Sequence, residues 1–180
     1  MNNRKRAMCW FAAQAVAEIR SPEIYATEQV TTSYRWLCER FGTSVVGSEY
    51  LGPAIRGGDV VDGVRHEDIA SLSFGDAGFD LVISLDVLAH VTDPTRAIHE
   101  MRRVLKPGGQ LLLTVPFNPD KEQNVTRHRV STDGSPVFTD FGWELAKQLG
   151  TRFERVEVEL FESWQYGHVG PSPCFFRCRP

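Results

Sequence analysis

The residues of this chain best equipped for chemistry gather near the ends of apolar runs. Ser84, Asp86 and His90 lie in or just after Phe79-Asp-Leu-Val-Ile-Ser-Leu-Asp-Val-Leu-Ala-His-Val91, so a hydroxyl, a carboxylate and an imidazole crowd the end of one buried strand. Ligands of open α/β sheets bind at that edge. Glu49 closes Val45-Val-Gly-Ser-Glu49 in the same manner and, taken by itself, reads as a solvated loop carboxylate. Asp68, flanked by Glu67 and Ile69, reads in isolation as a turn or a helix cap. His90 is either a general base or a satisfied structural histidine, and a lone imidazole in an apolar stretch favours the structural role. His128, between Arg127 and Arg129, is the other candidate for proton transfer; this basic group suits an anionic small molecule or sugar phosphate, and a solvated loop accounts for it equally well. Trp164, Tyr166 and His168 form an aromatic lid or ordinary packing over the sheet end.

Elements must carry these residues to one place. Residues 6–19 have apolar positions at helical spacing and meet no breaker before Ser21-Pro22. A short strand, Glu23 to Ala26, leads through Thr27-Glu-Gln-Val-Thr-Thr32 into a helix capped by Thr31 or Thr32 and stopped at Gly42. The second strand is Ser44 to Ser48. Gly52, Pro53, Gly57 and Gly58 leave little room for a crossover helix before a third strand at about Gly63 to His66. The run Phe79 to Ser84 is apolar enough to be buried on both faces. Asp93 and Pro94 open a helix whose apolar face is Ala97, Ile98, Met101, Val104 and Leu105. Lys106-Pro-Gly-Gly109 ends it, and Gln110 to Phe117 is the next strand. Residues 118–138 read as a long polar loop, Phe141 to Leu149 as a short helix, and Phe153 to Leu160 as an alternating edge strand with Cys174 to Cys178 as its antiparallel partner. The expected architecture is a Rossmann-like, doubly wound α/β sheet of about seven strands, the last antiparallel, with helices on both faces.

Composition narrows the functional classes. The length of 180 residues suits one domain, and 42% hydrophobic with 24% charged residues is ordinary for a globular chain. A net charge of −3 supplies no electrostatic footprint for nucleic acid, so no nucleic-acid partner is expected. No apolar run reaches the roughly 18 residues needed to span a bilayer, and Gln14 and Glu18 interrupt the segment that follows Arg4, Lys5 and Arg6, against a signal peptide. No membrane association is expected. Cys9, Cys38, Cys174 and Cys178 lack zinc-ribbon spacing and read as free thiols of a reducing cytoplasm, so no metal site is expected.

Four segments resemble class I S-adenosylmethionine (SAM)-dependent methyltransferases, the type 11 group in particular. They are Val45-Val-Gly-Ser-Glu49, Arg65-His-Glu-Asp-Ile-Ala-Ser-Leu-Ser-Phe74, Ser84-Leu-Asp-Val-Leu-Ala-His90, and Arg103 to Phe117 with its Lys-Pro-Gly-Gly turn. The resemblance covers roughly 45–117 and loosely extends to the terminal hairpin. It implies SAM as cofactor, with Glu49 on the ribose, Asp68 at the adenine amino group (an assignment that can slip by one to Glu67), and Ile69 beside the ring. It also implies that Ser84 and Asp86 meet the cofactor's polar groups and that Leu88 packs against it. Residues 1–20 are then an N-terminal helix, 21–117 the cofactor half, and 118–180 the substrate side.

One departure stands out. The resembled family usually has Gly-x-Gly-x-Gly after the first strand, because glycines let backbone N–H groups approach the ligand. Here the loop is Thr27-Glu-Gln-Val-Thr31, without glycine. Either Thr27, Glu28 and Thr31 replace backbone contacts, Glu28 pairing with the cofactor ammonium, or the loop closes the site. The first outcome gives a methyltransferase acting on a small-molecule or saccharide-type acceptor. The second gives a catalytically inactive methyltransferase-like binding or regulatory domain.

Overall fold

The computed structural model describes residues 3–130, 136–160 and 174–180. The first helix, α1, is Asn3–Ala15, shorter at its carboxyl end than the sequence pattern suggests and followed by turns closed by Ala17 N–H to Gln14 O and Ile19 N–H to Val16 O. Strand β1 (Ile24–Ala26) leads to α2 (Thr32–Phe41). Thr31 caps α2, its hydroxyl oxygen accepting from Tyr34 N–H at 3.2 Å, and such a cap is worth about 1 kcal/mol. Gly42, at φ +71°, ends the helix where a side chain would be strained.

Strand β2 (Val45–Gly47) pairs parallel with β1. Gly47 cannot be replaced cheaply: a Cβ there would lie 2.5 Å from the Tyr34 ring. The expected third strand takes a different form. Asp62 (φ 51°) and Gly63 (φ 80°) both adopt positive φ, folding β3 (Val60–Val61) and β4 (Val64–Arg65) into a tight hairpin of their own. Only His66 continues toward the main sheet, in an isolated parallel bridge with Glu49.

Strand β5 (Phe79–Leu85), a single 3-10 turn at Val87–His90, and α3 (Pro94–Val104) follow. Asp93 caps α3 through Arg96 N–H, and Ala97, Ile98, Met101 and Val104 are its buried face, as the periodicity predicts. Strand β6 (Leu105–Thr114) pairs parallel with β5, and its register jumps from Phe79↔Leu105 to Leu81↔Gln110. The Lys106-Pro-Gly-Gly109 turn is therefore extruded from the strand, with Gly108 at φ +80°.

The long loop expected at 118–138 instead carries a hairpin, β7 (Val125–Val130) with β8 (Pro136–Asp140). Its β-branched ends, Val125-Thr126 and Val130, are the local signal for that strand. Helix α4 (Glu144–Gly150), β9 (Arg155–Leu160) and β10 (Cys174–Arg179) complete the described chain. The main sheet has the order β2-β1-β5-β6-β10-β9, six strands rather than about seven, with β10 antiparallel to both neighbours.

Alternation along the strands sorts the core into two layers. Ile24, Ala26, Leu81, Ile83, Leu85, Leu112 and Phe175 face α1 and α2, packing with Met8, Phe11 and Leu37. Tyr25, Val82, Leu111, Leu113 and Phe176 face the other way, against Ile98, Met101, Leu145 and Leu149 of α3 and α4. Period-2 alternation on a sheet covered on both faces leaves the carboxyl ends of β1, β2 and β5 as the open rim. None of the four cysteines is in a disulfide; burial pushes the Cys9 thiol up to about 11 and the Cys178 thiol up to about 12.

Candidate functional site

Glu49 follows β2, and its carboxylate reaches across to the segment after β1. Its Oε1 accepts from Gln29 N–H at 2.7 Å and from Val30 N–H at 2.9 Å. These amides stand ahead of α2, where the helix leaves donors unmatched and an anion is stabilised. Glu49 Oε2 has no hydrogen bond among the described residues. No residue from Thr27 to Thr31 has positive φ, so this backbone path does not require glycine. The side chains also have places to go. Thr27 is buried with its hydroxyl 3.2 Å from Ser84 Oγ, Gln29 reaches the β3–β4 turn, Val30 is 70% exposed, and Thr31 caps α2.

The Arg65–Asp76 segment is anchored more deeply. Glu67, 1% exposed, is fully engaged: Oε1 accepts from Arg65 Nε at 2.9 Å and from Ser73 Oγ at 2.5 Å, and Oε2 accepts from Ser73 N–H at 2.8 Å. Arg65 lies over the Phe74 ring at 4.6 Å. Asp68 makes a turn in which Oδ1 accepts from Ala70 N–H at 2.8 Å, leaving Oδ2 without a hydrogen bond among the described residues. Ile69 and Leu88 belong to the larger apolar cluster. From α3, Arg103 donates to Leu72 O, Phe74 O and Asp76, while Glu100 accepts from Leu72 N–H and from Arg103. The Arg103 guanidinium beside it holds the Glu100 carboxyl below its ordinary value, against the opposite push of burial.

At the end of β5, Ser84 is fully buried. Asp86 adopts φ 64°, ψ 0°, a left-handed conformation that Asp tolerates better than most residues. Its N–H donates to Thr114 O at 2.9 Å, and Thr114 Oγ1 donates to Asp86 Oδ1 at 3.3 Å. His90 Nδ1 lies 2.6 Å from Pro136 O; a carbonyl only accepts, so Nδ1 donates this bond, which leaves Nε2 as the nitrogen that exchanges a proton. This contact ties the β5 end to the β7–β8 hairpin.

Thr27, Glu28, Glu49 and Ser84 thus share one rim, and Asp68 and Ile69 follow His66, which bridges Glu49. Asp86, Leu88 and His90 continue from Ser84 toward the hairpin. Arg127 pairs with Asp140 at 3.2 Å. The side chains of His128 and Arg129, and the whole of Trp164, Tyr166 and His168, lie outside what is described. Residues the sequence did not single out are Gln29, Thr114 and the Glu100–Arg103 pair. The bonds of Gln29 to Gly63 and Arg65, of Glu100 to Leu72 and of Thr114 to Asp86 span 28 to 36 residues, so no local pattern marks them. His66 is a further one: buried at 2% exposure, it accepts from Leu51 N–H at Nδ1, 2.9 Å.

Residues 32–113 match the methyltransferase domain family. A Mycolicibacterium smegmatis protein described as "Probable S-adenosylmethionine-dependent methyltransferase" is 30% identical over 95 residues, covering 48% of this chain and 37% of that protein. The Homo sapiens "Probable tRNA methyltransferase 9B" is 41% identical over 95 residues, covering 47% of this chain and 20% of its own length. The chain therefore spans well under half of either curated relative. In fold, it is similar to the crystal structure of Burkholderia thailandensis 1,6-didemethyltoxoflavin-N1-methyltransferase with 1,6-didemethyltoxoflavin and S-adenosylhomocysteine bound. The TM-score is 0.60 at 17% identity, covering 96% of this chain and 77% of that one.

Proposed function

Because this chain belongs to the class I SAM-dependent methyltransferases of the type 11 group, whose methyl donor is SAM, we propose that it binds SAM along the carboxyl rim and methylates a small-molecule or saccharide-type acceptor. The observation that carries the reading is Glu49: one oxygen is fixed by the Gln29 and Val30 amides, and the other has no described partner. A carboxylate locked in orientation yet half available is suited to two adjacent ribose hydroxyls. The remaining donor set fits as well. Asp68 keeps one oxygen for an exocyclic amine, Thr27 and Ser84 place hydroxyls at the β1 and β5 ends, and Glu28 supplies negative charge for an ammonium. Asp86 continues the rim beyond Ser84, and Leu88, fully buried in the apolar cluster, backs it from the core.

When bound, SAM supplies a methyl group on a sulfonium whose leaving group is a neutral thioether. The chain's own residues then need only align the nucleophile, exclude water and, where the acceptor requires it, remove a proton. His90, whose Nδ1 is held by Pro136 O, offers Nε2 for that last role, and His128 is the second candidate. The acceptor is proposed from the chain's charge of −3, which offers no attraction to polyphosphate. The toxoflavin enzyme supports a small-molecule acceptor, while the tRNA methyltransferase relative marks RNA as the competing class. We place the reaction in the cytoplasm, in keeping with four cysteines none of which is in a disulfide; no helix among the described residues is long and apolar enough to cross a membrane.

One observation favours a second reading, a methyltransferase-shaped domain without activity: the Gln29 and Val30 amides are spent on Glu49 rather than left for a ligand. Thermal unfolding separates the two. SAM is expected to raise the melting temperature of the wild-type chain and to have little effect on Glu49→Ala. Identical curves with and without SAM for the wild type would support the inactive domain.

A further inference from the structure

Gln29 makes contacts that neither a glycine nor a solvated loop residue would make. Its side-chain amide spans the turn of the β3–β4 hairpin, Nε2 donating to Gly63 O at 2.9 Å and Oε1 accepting from Arg65 N–H at 2.9 Å. Its own backbone N–H, and that of Val30, donate to Glu49. One residue therefore fastens the loop to two other segments, and all these bonds connect positions 19 to 36 residues apart.

We propose that Gln29 is a positioning residue that substitutes for the glycine-rich loop, holding the backbone of residues 29–30 on Glu49 so that the carboxylate presents its second oxygen in one orientation. This rests on the reading of Glu49 as the ribose acceptor. Rotamer freedom is the physical reason. A glutamate at a strand end has three side-chain torsions to fix, and ordering it on binding would weaken affinity. Two amides on Oε1 remove that freedom beforehand, provided that the loop bearing them is itself held. Apolar anchoring does not hold it, since Val30 is 70% exposed, whereas Gln29 ties it to a hairpin whose turn is shaped by Asp62 and Gly63. The β3–β4 hairpin thereby supports the Glu49 carboxylate through Gln29.

The test uses Gln29→Met, which keeps the volume and loses both amide bonds, with two readouts. In the ligand-free protein, hydrogen exchange of the Gln29 and Val30 amides, followed by NMR, is expected to accelerate by about tenfold or more in Gln29→Met while α3 amides keep their rates. Calorimetry with S-adenosylhomocysteine is expected to show affinity about tenfold weaker in Gln29→Met, and a smaller further loss when Gln29→Met is added to Glu49→Gln. Unchanged exchange at residues 29–30 would overturn the proposal even where the ligand binds, as would equal loss of affinity in both backgrounds. Failure of the wild type to bind S-adenosylhomocysteine would overturn the ribose reading instead, and the exchange readout, which needs no ligand, would still decide the strap.

Discussion

Two segments at the carboxyl rim are held by different physics. Residues 27–31 are fastened through hydrogen bonds to a carboxylate and to a neighbouring hairpin, with Val30 largely in solvent. Residues 65–76 are fastened by burial, with Ile69 5% and Leu72 6% exposed, and by two interlocked acid–arginine sets, Glu67 with Arg65 and Glu100 with Arg103. The first arrangement yields a segment whose order rests on a few hydrogen bonds and is lost with them, and the second yields one that opens only with its surroundings. Mutations in the two places should therefore separate: the first changes ligand affinity and spares stability, the second changes stability first.

The sharpest break in that comparison is Arg103→Ala. It removes the donors to Leu72 O, Phe74 O and Asp76 and leaves Glu100, whose side chain is 14% exposed, without its cation. The expected loss is about 3 kcal/mol, or roughly 6–12 °C in melting temperature, read by thermal unfolding. Next is Glu49→Ala, expected to weaken S-adenosylhomocysteine binding by about 2 kcal/mol while moving the melting temperature by only a degree or two. Equal stability losses in both variants would erase the distinction between the segments.

Acid sharpens the same contrast. The folded-state Glu100 carboxyl lies below its ordinary value of 4.5 because of the Arg103 hydrogen bonds, so the stability it supplies is present above that value and is lost as pH falls through the folded-state value. Glu100→Gln should therefore be less stable than wild type at pH 7, with the gap closing as pH is lowered below about 4. The smallest effect belongs to His90→Ala, which removes one contact to Pro136 O and should cost about 1 kcal/mol or less without altering S-adenosylhomocysteine affinity. A large fall in methyl transfer with cofactor affinity intact would assign His90 the base; unchanged turnover would leave it the structural tie between the β5 end and the β7–β8 hairpin.

Much of the fold was legible because it is written in period. Ile24 and Ala26 against Tyr25, and Leu112 against Leu111 and Leu113, divide between the two layers as alternation requires. Asp93-Pro94 and Thr31 start their helices, and Gly42 stops one, through local capping chemistry. The β3–β4 and β7–β8 hairpins were hidden for different reasons. The strands of β3 and β4 are two residues each, too short to show a period, though Asp62-Gly63 is a turn signal. In β7 the alternation is blurred by Arg127-His-Arg129, which reads as loop. Within the site, the acid at the end of β2 was marked by the resemblance of residues 45–49 to a family motif, since by itself it reads as a solvated loop carboxylate, and the partners of that acid were not legible. Glu49 finds Gln29 and Val30, 20 and 19 residues away, and Gln29 finds Gly63 and Arg65, 34 and 36 residues away. Such contacts arise only when β1, β2 and the hairpin have been brought side by side.

The absence of glycine from Thr27–Thr31 is explained at the same level. Glycine is needed where φ is positive or where another atom must occupy the place of a Cβ. The loop has no positive φ, and Gln29, Val30 and Thr31 direct their side chains to the hairpin, to solvent and to α2. By contrast, Gly142 does need its lack of a Cβ, since one built there would lie 2.4 Å from Lys121 O.

Titration calorimetry of the wild-type chain with S-adenosylhomocysteine is the most direct measurement. A rim organised around Glu49 predicts one ligand per chain, and at a hundred times the dissociation constant a gain in folding stability of about 2.7 kcal/mol. Absence of binding heat, together with an unmoved unfolding transition at millimolar ligand, would contradict it.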